Sequence, residues 1–161
     1  MAELTDFQLL CRQVRFALDE AVEPEENEGL LADLVARVRS NGLQVTRRTV
    51  PELHAVVSAA RRALAMSCEP EVYVVNDPAS NAFAPVFGDG VRPFVVLNSG
   101  LISLLGVSEL AFALGHELGH LGMRHGRALA SPPRSEFEAI QMRTRQRYAE
   151  VSADRVGLLA T

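Results

Sequence analysis

The sequence contains no lysine and no tryptophan, only two cysteines and two tyrosines, and no uninterrupted apolar run long enough to cross a bilayer. Without lysine, all sixteen cationic side chains are arginines, which speaks mainly to the codon bias of the source genome. The formal net charge of −4 argues against a general nucleic-acid or membrane-surface binder, because affinity for phosphates comes from clustered cations. Cys11 and Cys68 form neither a metal-type pair nor a disulfide framework. The first residues lack the basic, apolar and small-residue order of a signal sequence, so a cytoplasmic location is expected. The most apolar stretch, Phe94 to Met123, is interrupted by Asn98, Ser99, Ser103, Glu109, His116, Glu117 and His120. It falls short of the roughly 20 apolar residues a spanning helix needs, and no membrane span is expected.

What is present suits one ordinary domain: 161 residues, 48% of them hydrophobic, can bury a core without staples. Charge is uneven along the chain. Residues 1–30 carry eight acids against Arg12 and Arg15, while Arg143, Arg145 and Arg147 alternate near the other end. Both segments read as solvated helix faces.

Phe7, Leu10, Val14 and Leu18 recur at helical spacing after Thr5 or Asp6 as a cap, and Glu23-Pro24-Glu25-Glu26-Asn27 is expected to end that helix. A second helix is predicted from about Glu28 to Ser40, and a third from Pro51 to about Met66. Val72-Tyr73-Val74-Val75 reads as a strand. Asn81 to Phe87 and Phe94 to Leu97 read as two more, joined as a hairpin by Gly88-Asp89-Gly90. Leu101 to Leu105 resembles a helical turn, Ser108 is the expected cap of a long helix ending at His125 with Gly126 beyond it, and a last helix should run from about Ser135 to Leu159. The expected class is α+β, with residues 1–69 a helical segment packed on a core of residues 70–161.

The long helix carries the chemistry. His116-Glu117-Leu118-Gly119-His120 sets two imidazoles at i and i+4, on one helical face and about one turn apart, where both can reach a single ion. A catalytic zinc takes three protein ligands and keeps a fourth position for water. Glu117, about 100° round the helix from His116, stands near that water without being forced into ligation. The third ligand must come from elsewhere. The last helix offers Glu150 and Asp154, again at i and i+4: the glutamate has the longer reach, and the aspartate is suited to accept the second N–H of a ligating histidine. Glu136 and Glu138, close to the Pro132-Pro133 connection, compete less well. Gly115, Gly119 and Gly122 form a smooth stripe beside the ligand face, which predicts the close approach of another segment, naturally the Glu150 helix. His125 lies about 180° from His116 and is expected to meet free carbonyls at the helix end, and His54 is isolated.

Asn81-Ala82-Phe83-Ala84, Phe94-Val95-Val96-Leu97 leading to Ser99-Gly100-Leu101, Ser108-Glu109-Leu110, the His116 to His120 motif with His125, and Glu150-Val151-Ser152-Ala153-Asp154-Arg155 occur in this order. Together they resemble the gluzincin peptidases of the HtpX and CAAX-prenyl-endopeptidase type. The resemblance covers about residues 70 to 160 and implies a zincin-like fold, with a small, mainly antiparallel sheet packed on the motif helix and on a C-terminal Glu-bearing helix. It implies one zinc per chain on His116, His120 and Glu150, Glu117 as general base, Asp154 behind a ligand, and Asn81, Ala82, Phe83 and Ala84 beside a cleft for a peptide or unfolded protein. The expected function is zinc-dependent endopeptidase activity. The alternatives are a zinc-stabilised regulatory or protein-binding module with little proteolysis, and a soluble peptidase that cleaves a repressor. Members of the family usually continue past the point where this chain stops, so a further C-terminal region is expected, with a donor for the transition state.

Overall fold

The computed structural model describes residues 24–85, 92–125 and 133–161. The helix expected over Phe7 to Leu18, the Gly88-Asp89-Gly90 turn and Gly126 lie outside them. In chain order the elements are α1 (Pro24–Asn41), β1 (Leu43–Gln44), α2 (Pro51–Ala63), β2 (Glu71–Val75), β3 (Ala82–Phe83), β4 (Phe94–Asn98), α3 (Ser99–Leu104), α4 (Val107–Gly122) and α5 (Glu136–Ala160).

The four strands form one sheet in the order β1-β2-β4-β3. Its central ladder, β2 on β4, is parallel from Glu71↔Phe94 to Val75↔Asn98, whereas β1 on β2 and β3 on β4 are antiparallel. The sheet is therefore mixed, which corrects the mainly antiparallel expectation. The reason is visible in β4, where Phe94, Val95, Val96, Leu97 and Asn98 are all buried. A strand covered on both faces is a continuous apolar run, the pattern of a parallel centre.

Alternation along the two central strands sorts the core into two layers. Val72, Val95 and Leu97 share a cluster with Leu53, Val57, Ala60, Leu114, Leu118 and Ala160, from α2, α4 and α5. Tyr73, Val75, Phe94 and Val96 point the other way and pack with Leu31, Leu34 and Val38 of α1. Tyr73 stacks on Phe94 at 5.2 Å, on the sheet face away from α4. Leu114 and Leu118 are 0% and 2% exposed, and each contributes about 1.5–3 kcal/mol of burial that seats α4 on the sheet.

Two helix starts differ from expectation. α1 begins at Pro24, so the segment taken for a break opens a helix, proline being well suited to a first turn. α4 is capped at Gly106 instead of Ser108: Gly106 has extended backbone, and its N–H donates to Glu109 Oε2 at 2.8 Å. α5 starts where Ser135 Oγ accepts from Glu138 N at 3.2 Å.

The α4–α5 contact positions everything that follows. A Cβ built on Gly115 would lie 2.5 Å from Ala160 Cβ, one on Gly119 2.9 Å from Val156 Cβ, and one on Gly157 2.9 Å from the Phe112 carbonyl oxygen. The expected stripe thus holds at Gly115 and Gly119. It fails at Gly122, which is exposed with nothing near its Cβ position.

Candidate metal centre

With the backbones of α4 and α5 drawn together by glycine and alanine, side chains from the two helices converge on one point. His116 and His120, one turn apart on α4, bring their Nε2 atoms to 3.0 Å of each other. From α5, Glu150 places Oε2 3.5 Å from His116 Nε2 and Oε1 3.6 Å from His120 Nε2. One ligand atom from each of the three residues falls within 4.8 Å of the others. Ligands held tetrahedrally about 2.0–2.1 Å from one zinc ion stand about 3.3 Å apart. The observed spacing and the donor set, two imidazoles and one carboxylate, therefore fit such an ion.

Two further groups stand behind the candidate ligands. Asp154 Oδ1 lies 2.9 Å from His116 Nδ1, and an ionised carboxylate only accepts, so the contact is one in which His116 Nδ1–H donates, leaving Nε2 as the ring nitrogen turned toward Glu150 and His120. Behind His120 stands His125, with the two Nδ1 atoms 3.1 Å apart. His125 was expected at the helix carbonyls. Its ring instead meets His120, because the chain leaves α4 at Gly122 and the following turn swings residue 125 off the helical path on which that expectation rested. The five-residue spacing from His120 was the only sequence signal for this contact.

Burial holds His120 below the usual histidine range, with the carboxylate of Glu150 opposing and the neighbouring His116 and His125 reinforcing the shift. His125 is also lowered, first by burial. Both rings are therefore disposed to be neutral near pH 7, as metal ligation requires of His120. The histidines are mostly covered, with side-chain exposures of 19% for His116 and 17% for His120, while Glu150 at 61% and Asp154 at 55% open the site to solvent. Glu117 is half-buried on α4, between the two histidines in sequence.

The remaining predicted residues sit at the sheet edge. β3 holds Ala82 and Phe83, paired antiparallel to Leu97 and Val96, and Asn98 N donates to the Asn81 carbonyl at 3.0 Å. Ala82 and Ala84 pack against the core layer that contains α4, and Phe83 packs on the α1 side. The segment is tethered by Asp77, whose Oδ1 accepts from Ala79 N at 2.8 Å and whose carbonyl accepts from Ser99 Oγ at 3.0 Å. Glu136 and Glu138 lie in the first turn of α5, about a dozen residues before Glu150, and take no part in the cluster.

Residues 47–135 match Peptidase family M48. The chain belongs to that family. It is 37% identical over 82 residues to the plastoglobule-localized metallopeptidase 48 of Arabidopsis thaliana, covering 51% of this chain and 23% of that protein. It is 41% identical over 81 residues to the protease HtpX homolog of Moorella thermoacetica, covering 50% and 26%. Against the HtpX homolog of Tropheryma whipplei it is 48% identical over 52 residues, or 32% and 18%. The chain thus spans about a quarter or less of the length of these M48 relatives. The family match ends before Glu150 and Asp154, which reach the site through the packing of α5. Among the described residues no helix is long and apolar enough to cross a membrane.

Proposed function

We propose that this M48 chain is the zincin-like catalytic core of a zinc-dependent endopeptidase acting on peptides or unfolded protein. The observation that carries the reading is the convergence of His116, His120 and Glu150 from two helices at the spacing of zinc ligands. His116 and His120 would hold the ion through Nε2 and Glu150 through its carboxylate, with Asp154 and His125 orienting the two rings. Bound there, zinc supplies a Lewis acid that polarises the scissile carbonyl and acidifies a water.

The chain's own part in the reaction is proton management. Glu117 takes the proton from the attacking water and delivers it to the leaving amine, so no covalent nucleophile is required. The edge strand at Ala82 and Phe83 offers main-chain groups to an extended substrate, which is how sheet edges commonly take peptides.

Metal analysis together with casein hydrolysis, on the chain and on its Glu117→Gln form, tests the reading. The amide keeps the shape and removes the base, so zinc content should be retained while turnover falls by about 10² to 10⁴. Equal turnover at matched zinc occupancy would reject Glu117 as the base. Zinc binding with no hydrolysis in either form would favour a zinc-stabilised binding module.

A further inference from the structure

The candidate metal cluster uses only the second half of α5, and along the first half only Ala139, Met142, Gln146 and Ala149 are half-covered, the rest being exposed. No residue between Glu136 and Ser152 is buried. Phe137, Ile140 and Tyr148 are 68%, 52% and 69% exposed. Arg143 and Arg147 are exposed, and among the described residues no carboxylate pairs with either; Arg143 Nε merely donates to the Ala139 carbonyl of its own helix. Their placement on the helix gives them a direction. Relative to Glu150, Arg143 lies about 20° round the axis, Arg147 about 60° and Asp154 about 40°. The stripe that turns Glu150 and Asp154 toward the two histidines therefore continues, past the end of α4, as two guanidinium groups that pair with no carboxylate among the described residues.

We infer that Arg143 and Arg147 form a substrate-binding extension of the metal centre that selects polypeptides carrying acidic residues on one side of the bond to be cut. The inference rests on the peptidase reading and adds the class of substrate. Along the axis Arg147 stands about 4.5 Å and Arg143 about 10.5 Å from Glu150. An extended peptide advances about 3.3 Å per residue, so the carboxylates that meet them belong within about four residues of the reacting bond. On the other side of Glu150 the same stripe presents Asp154, which gives no such attraction, and the preference is one-sided. Arginine suits this task because its planar fork binds a carboxylate in two places. Ile140 and Val151, beside the arginines and 52% and 48% exposed, provide apolar contact for the intervening side chains. A polyanion such as nucleic acid fits less well: two arginines are a small footprint, and the stripe ends in the carboxylates of Glu150 and Asp154.

The test uses the zinc-loaded Glu117→Gln chain and fluorescent peptides matched in length and apolar content, one with an acidic cluster and one with a basic cluster, read by anisotropy at low and high salt. The acidic peptide should bind about tenfold more tightly at low salt, two exposed pairs each contributing a few-fold. Arg143→Glu with Arg147→Glu should reverse the order without changing zinc content. Equal affinity for the two peptides, or a preference that survives the double reversal, would overturn the inference. So would tighter, arginine-dependent binding of RNA or anionic vesicles than of either peptide. The same peptides incubated with the chain bearing Glu117 separate the two readings. Cleavage without acidic preference removes the surface and keeps the hydrolysis, whereas arginine-dependent binding without cleavage does the opposite.

Discussion

Along α5 two regimes meet in one helix. From Ala153 onward it buries Ala153, Gly157 and Ala160, and a Cβ built on Gly115, Gly119 or Gly157 would lie 2.5–2.9 Å from an atom across the α4–α5 contact. Through Glu136 to Ser152 no residue is fully buried, and only Ala139, Met142, Gln146, Ala149 and Ser152 are half-covered. Glu150 stands at the border, close enough to the packed end to be held opposite His116 and His120, yet 61% exposed. The proposed role of Glu150 as a metal ligand needs both conditions: a fixed position relative to its partners and an approach for substrate. The fold meets them by ending the helix–helix contact one turn from the ligand.

The sharpest way to break the comparison is to remove the border residue. Glu150→Ala should lower zinc affinity by more than the roughly 10- to 100-fold typical of losing an outer-shell partner, since it takes away one of the three proposed ligands. Asp154→Ala should fall within that 10- to 100-fold range, because it frees the His116 ring without removing a donor. Competition against a zinc chelator measures both. If Asp154→Ala proved the more damaging, the two acids would exchange roles.

Next in size is the packed end itself. Gly157→Val places a branched side chain where even a Cβ would be 2.9 Å from the Phe112 carbonyl oxygen and 3.0 Å from its ring. Overpacking of this kind costs about 1–3 kcal/mol, so the chain should melt several degrees lower and bind zinc more weakly as α5 shifts away from α4. Unchanged melting and zinc affinity would mean that the contact is not what positions Glu150.

A smaller effect separates the covered histidines from the exposed acids. Burial lowers His120 and His125 below 6.5, so the unfolded chain binds more protons than the folded one as pH falls through that value. The stability gained by keeping the rings neutral is present above about pH 6.5 and is lost below it, through the depressed folded values. In chelator, melting temperature should drop between pH 7.5 and 5.5, and less so in His120→Gln with His125→Gln. An equal drop in the double variant would assign the acid sensitivity to other groups.

How far the sequence reaches follows the same division. The two-histidine motif, the i and i+4 acids, a contact between Asp154 and one of the two histidines and the close approach at Gly115 and Gly119 were legible, because helical periodicity fixes directions over short spans. The parallel β2–β4 ladder was not, since strand direction depends on a connection, residues 76–93, whose path no local pattern encodes. β1 was missed because two residues, Leu43 and Gln44, carry no periodicity. His125 was misdirected because its position depends on how the chain leaves α4, and an ideal helix drawn through it points the wrong way.

The mildest test concerns the exposed half alone. Phe137→Ser with Ile140→Ser removes two apolar side chains that are 68% and 52% exposed and lie outside both buried clusters. Substitutions at such positions normally change stability by no more than about 0.5 kcal/mol each, and serine, isoleucine and phenylalanine have similar helix propensities. The melting temperature should therefore move by only a few degrees and zinc affinity should not move, in contrast to Gly157→Val on the same helix. A destabilisation as large as that of the glycine variant would show that the first half of α5 is covered in solution, and the difference between its two halves would then be one of partner and not of exposure.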